Sequence, residues 1–74
     1  MDTPTALTNE AIRVEMARRR VTQADIASAL NLPQSQVSER LRGVVDWRLA
    51  ELFTVANVLG VSIGAIVGHA TEAA

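Results

Sequence analysis

Four side chains between residues 34 and 42 have the chemistry to bond nucleobase edges or phosphates. Placed 100° apart as on a helix, Gln34, Ser35, Ser38 and Arg42 share one side, and Val37 and Leu41 take the other. Glutamine can bond adenine bidentately, serine can bond several bases, and arginine reads guanine or phosphate. Glu39 stands at the margin of the polar side. It either accepts from the exocyclic amine of cytosine or repels phosphate. The candidate base-reading set is therefore Gln34, Ser35, Ser38 and Glu39, with Arg42 on phosphate.

Such a face is useful only if the helix carrying it is held at a fixed angle, and the preceding residues supply the means. Thr22 is a strong N-cap and Asp25 follows three residues later, the spacing of a capping box. Val21 before the cap can staple onto Ile26. Ile26, Ala27 and Leu30 then repeat at helical spacing. Asn31-Leu32-Pro33 ends this helix, since asparagine tolerates the left-handed conformation and proline cannot continue the helix. Proline's fixed φ suits the first turn of a new helix, expected from about Pro33 to Arg42 with Gly43 as its stop. Two short helices and a tight turn make a helix-turn-helix, whose second helix enters the DNA major groove.

The ordered set Thr22-Gln23-Ala24-Asp25-Ile26-Ala27, Gln34-Ser35, Val37-Ser38, Gly43, Leu49-Ala50-Glu51-Leu52 and Ala56-Asn57-Val58-Leu59-Gly60-Val61-Ser62 resembles the lambda-repressor/Cro family, also called XRE. The resemblance spans roughly Ile12 to Val67. It implies an all-α, compact five-helix DNA-binding domain whose helix-turn-helix is formed by helices 2 and 3. It also implies that the loop at Val44-Val45-Asp46 and the start of the fourth helix lie beside the DNA backbone, which makes Trp47 and Arg48 candidate phosphate contacts. Thr22, Gln23 and Arg42 join them, as do the amides at the starts of helices two and four. Packing is the alternative role for Trp47. Three departures stand out. Asn31 replaces the usual turn glycine, and Arg40 lies where the family often has an apolar residue, its stem over the core and its head reaching water or an acid. Arg20 stands where glycine is often found before Val21, so that connection is either strained or takes another path.

Composition bounds the rest. Seventy-four residues make one small domain, and Trp47 and Phe53 are its only aromatic residues. Cysteine is absent, so neither a disulfide framework nor a thiolate metal site is expected. Net charge is −1, yet all seven cations are arginines between Arg13 and Arg48, against four acids in that span. DNA affinity depends on where cations sit, and this local excess is what phosphate would meet. Arg18-Arg19-Arg20 is either a phosphate clamp that includes Arg19 or a solvated helix end.

Residues 1–7 read as a short arm containing Pro4 and Asp2 but no cation, so no basic DNA-wrapping arm is expected. Thr8 is a plausible cap for a first helix through about Arg19, with Ile12 and Met16 in the core. Asp46 is expected to cap a fourth helix, Trp47 to Leu59, with Leu49, Leu52, Phe53, Ala56 and Leu59 inward. Ser62 caps a short fifth helix ended by Gly68. The domain then covers residues 8–68, and residues 69–74 form a flexible tail or linker stub. Ile63, Ile66 and Val67 make the last helix too apolar for a fully exposed surface. Part of that stripe is expected to complete the core, and the remainder either does the same or forms a two-fold homodimer contact. A dimer would space its reading helices by one DNA turn, about 34 Å, over a near-palindromic double-stranded operator.

No catalytic constellation, cofactor or small-molecule motif is visible, and His69 reads as a solvated tail residue. No apolar run is long enough to span a membrane and no signal peptide is evident. The expected function is a sequence-specific transcriptional regulator, phage-repressor-like or Cro-like and not an enzyme, in the cytoplasm and nucleoid of a bacterial host. An antitoxin or other protein-interaction module on the same fold is the alternative. The chain is either a stand-alone regulator or the DNA-binding half of a longer protein.

Overall fold

The computed structural model describes residues 3–73, with side chains described through residue 68. Its five helices are α1 (Pro4–Arg19), α2 (Gln23–Leu30), α3 (Gln34–Leu41), α4 (Leu49–Leu59) and α5 (Ile63–Ala73), and no strand occurs among the described residues. The first four all stop in the same way. A residue in the left-handed conformation turns the chain at Arg20, Asn31, Gly43 and Gly60. The next amide then reaches back into the last turn, as Val21 to Met16 O (3.0 Å), Leu32 to Ala27 O (3.0 Å), Val44 to Glu39 O (2.9 Å) and Val61 to Ala56 O (3.0 Å). These are Schellman closures, which satisfy carbonyls that a helix end would otherwise leave open.

Glycine adopts this conformation at no steric cost and asparagine at little, but a Cβ-bearing arginine crowds its own carbonyl. Arg20, at φ 56°, takes the path that glycine would favour, so the departure is absorbed as strain. Arg20→Gly is expected to stabilise the domain by about 0.5–1 kcal/mol, the relief being partly offset by the freer unfolded chain. A urea titration checks it, and an unchanged or lower midpoint contradicts it.

The core is formed by Ile12, Ile26, Ala27, Val37, Leu41, Val55, Ala56, Leu59 and Ile66. α1 packs chiefly on α5, while α2 packs on α3 and α4. Val21 and Met16 lie partly buried against this core, as their spacing predicts.

Several boundaries differ from expectation. α1 begins at Pro4 because Thr3 Oγ1 accepts from the Ala6 amide at 3.0 Å and proline suits the first turn. Thr8 is therefore a buried residue inside the helix, not its cap. The arm expected over residues 1–7 loses Pro4 to Leu7 to α1, and Met1 and Asp2 lie outside the described residues. α4 begins at Leu49, two residues late, because Glu51 accepts from the Arg48 amide at 2.9 Å. Asp46 does not cap it. α5 continues past Gly68 to Ala73, since Gly68 keeps a negative φ and is followed by good helix formers. The side chain of His69 lies outside the described residues.

Two expected core residues of α4 face outward. Leu49 is 67% exposed and Phe53 is 53% exposed, while Val55 is enclosed in their place. Ile66 is 0% exposed within a single chain, so it has no surface to give a dimer contact.

Candidate nucleic-acid interface

α3 presents its polar side as its sequence requires. Val37 and Leu41 are buried in the core, and Gln34 and Ser35 stand exposed at the helix start. Ser38 and Glu39, one turn on, are partly exposed, and Arg42 is exposed at the end, where its Nε donates to Ser38 O at 3.4 Å. All four candidate base-reading side chains thus keep some accessible surface on one short helix.

The inner side of α3 is held by charge. Arg40 is only 7% exposed and does not stay apolar, as its neighbours would suggest. Its Nε and Nη2 donate to Glu51 Oε1 and Oε2 of α4 at 3.0 and 3.3 Å. Its Nη1 donates to Gln36 O and Gln36 Oε1 at 3.2 and 3.1 Å. A forked guanidinium suits a carboxylate in this bidentate way. Burial pushes the Glu51 carboxyl up. The Arg40 hydrogen bond, the Arg48 amide and both guanidinium charges outweigh burial and hold it below the usual carboxylate range.

A second set of bonds fixes the end of α3 to α1. Asn9 Nδ2 donates to Arg40 O at 2.8 Å, and Arg13 Nη2 donates to Leu41 O at 3.0 Å. A cation at the last carbonyls of a helix also suits its dipole. Trp47 Nε1 donates to Asn9 Oδ1 at 2.6 Å, so one buried amide ties helix, loop and indole together. None of this was visible in the spacing of Asn9, Arg13, Gln36 or Glu51.

The start of α2 is a closed capping box. The Thr22 amide donates to Asp25 Oδ2 at 2.9 Å and the Asp25 amide donates to Thr22 Oγ1 at 3.1 Å. The Thr22 amide first, and then the Thr22 side chain, hold the Asp25 carboxyl below its usual range. Thr22 is exposed there, and Gln23 beside it is partly exposed.

Two expected phosphate contacts, Trp47 and Arg19, have other partners. Trp47 has committed its only donor to Asn9, so it packs and positions. Arg19 Nε bonds Glu15 Oε2 at 2.8 Å, and Arg18 Nη1 bonds Glu15 Oε1 at 3.3 Å. That pairing, Arg19 first, lowers the Glu15 carboxyl below its usual range. Arg19 also stands beside Gly60, at the far end of α4 from the Arg40–Glu51 pair, so it does not adjoin α3. Of the amides at the start of α4, that of Arg48 donates to Glu51 Oε1. Arg48 itself is exposed there.

Against family models, residues 11–72 match the Cro/C1-type HTH DNA-binding domain. The chain belongs to that family. This Cro/C1-type domain is a DNA-binding module, with α2 and α3 as its helix-turn-helix. Comparison with curated proteins and with solved structures returns no match. No helix among its described residues is long and apolar enough to cross a membrane. Nor do the described residues bring together three groups that could hold a metal ion.

Proposed function

We propose that this Cro/C1-type domain is a sequence-specific transcriptional regulator of phage-repressor or Cro type, acting in the bacterial cytoplasm on a near-palindromic operator as a homodimer. Gln34, Ser35 and Ser38 read base edges from the major groove, with Glu39 at the margin of the contact. Thr22, Gln23, Arg42 and Arg48 set the register on the phosphates.

One observation carries this reading. The polar side of α3 is open along its length, while its opposite side is bolted to α1 and α4 by buried bonds from Arg40 and Asn9. A reading helix needs that asymmetry, because bidentate base contacts tolerate little tilt. A solvated surface helix needs no bolts. The acidic balance of the whole chain does not oppose the reading, since two of the seven arginines pair with Glu15 and one with Glu51, and of the other four, Arg42 and Arg48 lie exposed at the end of α3 and the start of α4.

Selection of bound sites from a random DNA library at two salt concentrations tests it. The expected result is a defined motif with half-site symmetry that survives the higher salt. Binding that is motif-free and purely salt-driven sinks the sequence-specific reading.

A further inference from the structure

We propose that the outward side of α4 is the surface through which two copies of this chain associate. Placed 100° apart, its exposed positions Leu49, Ala50, Phe53 and Asn57 form one continuous side. Leu49 and Phe53 sit one turn apart and are 67% and 53% exposed. The apolar arc of α4 is wider than the core can use. Val55, Ala56 and Leu59 fill the inner side, and these two large side chains are surplus to it. Two large apolar side chains exposed one turn apart on the same helix side give a contiguous apolar surface, the kind that marks a contact site when a partner covers it.

Charge selects the occupant. A two-fold contact brings each patch against its own image, so any charge near the axis meets its like. The four exposed positions on α4 carry no charge, although a fifth of the chain is charged; exposed Arg48 precedes the face at its N-terminal end and is assigned above to phosphate. The other helix sides differ. The exposed side of α1 carries Glu10, Arg13 and Arg18, and α2 exposes Asp25. α5 exposes only Gly64 and Ala65 among its described side chains, which leaves little to bury. Among the described side chains, the helix face that can meet itself without repulsion and with two large exposed apolar groups is that of α4. A second copy is therefore the partner it fits.

The position also suits the reading proposed above, on which the purpose of this contact rests. The first turn of α4 is joined to α3 through Glu51 and Arg40. Pairing at Leu49 and Phe53 therefore sets two α3 helices at a fixed relation across the axis. The dimer contact then lies on α4, in place of the Ile63, Ile66 and Val67 stripe of α5.

The test is made without DNA, so its failure leaves the DNA-binding reading standing. Sedimentation equilibrium is run on the wild type, Phe53→Glu, Leu49→Glu and the α5 control Ala65→Glu, each with a circular-dichroism melt. The wild type is expected to show a reversible monomer–dimer equilibrium. Either α4 substitution, appearing twice at the axis, should raise the dimer Kd by roughly a hundredfold with the fold retained. Ala65→Glu should leave it unchanged. A wild type that stays monomeric to about 1 mM overturns the proposal, including one that uses this face for a different protein. So does an undiminished dimer in folded Phe53→Glu and Leu49→Glu, or a dimer broken by Ala65→Glu alone. Loss of fold in both α4 variants would place these side chains in the core and overturns it as well.

Discussion

Glu51→Ala is expected to cost the domain about 3 kcal/mol, the lower end of what breaking a buried ion pair costs. The loss has three sources. Arg40, 7% exposed, would keep its charge without the bidentate partner that makes burial tolerable. The Arg48 amide would lose its acceptor at the start of α4. The end of α3 would lose its link to α4. A domain of this length holds only some 4–11 kcal/mol in total, so a shift of this size lowers the melting temperature by about 10–20 °C. Removing both charges is different. Arg40→Met with Glu51→Gln leaves no stranded ion and keeps an acceptor for the Arg48 amide, and should recover most of the loss. Urea unfolding of the three variants separates these outcomes, and a Glu51→Ala midpoint equal to wild type would show that the pair contributes nothing.

The same carboxylate predicts an acid limb. Glu51 is held below its ordinary range in the folded state, so its contribution is complete above the unfolded carboxylate range. It fades as pH falls through that range toward the lower folded value. Asp25 in its capping box behaves likewise. Stability should therefore be flat near neutrality and decline below about pH 4. In Glu51→Gln the decline should be shallower, with the Asp25 and Glu15 shares remaining. A variant with the wild-type acid slope would remove Glu51 from this account.

The second large effect concerns recognition. Gln34→Ala should weaken operator binding by about 1–3 kcal/mol, a loss of some 5–150-fold, and should relax the preference at one base position. The residue is exposed at the open end of α3 and makes no bond that the fold needs, so stability should not change. Arg48→Ala supplies the contrast. It should weaken all sequences alike and reduce the salt slope by about one. Titrations against the selected operator and a one-base variant distinguish the two. If Gln34→Ala binds both as the wild type does, Gln34 does not read a base.

What was legible in the chain was what local chemistry decides. The capping box of α2, the left-handed stop at Asn31 and the inward pair Val37 and Leu41 are each settled within one or two turns. They appear in the structure as their spacing demands. Helix starts were less legible where two caps competed. Thr3-Pro4 outbid Thr8, and Glu51 acting on Arg48 outbid Asp46. The second contest turns partly on Trp47, which a bond to Asn9, 38 positions away, keeps out of α4. The polarity of α4 misled for another reason. Its apolar residues cover more than one side, and periodicity alone does not say which part faces the core. The Arg40–Glu51 and Asn9–Arg40 links join distant positions, and no local pattern announces them. Arg19 shows the reverse failure, a cation placed by composition on a face that its pairing with Glu15 draws it away from.

Trp47 is the single tryptophan of the chain, and its indole N–H is fixed to the buried amide that also holds the end of α3. The protein thus contains its own optical gauge at the joint behind its reading helix. Emission from that one ring reports whether the joint is closed, separately from helix content measured over the whole chain. Loosening of α3 can be followed in the unlabelled molecule, in the absence or presence of DNA, with no dye on its surface.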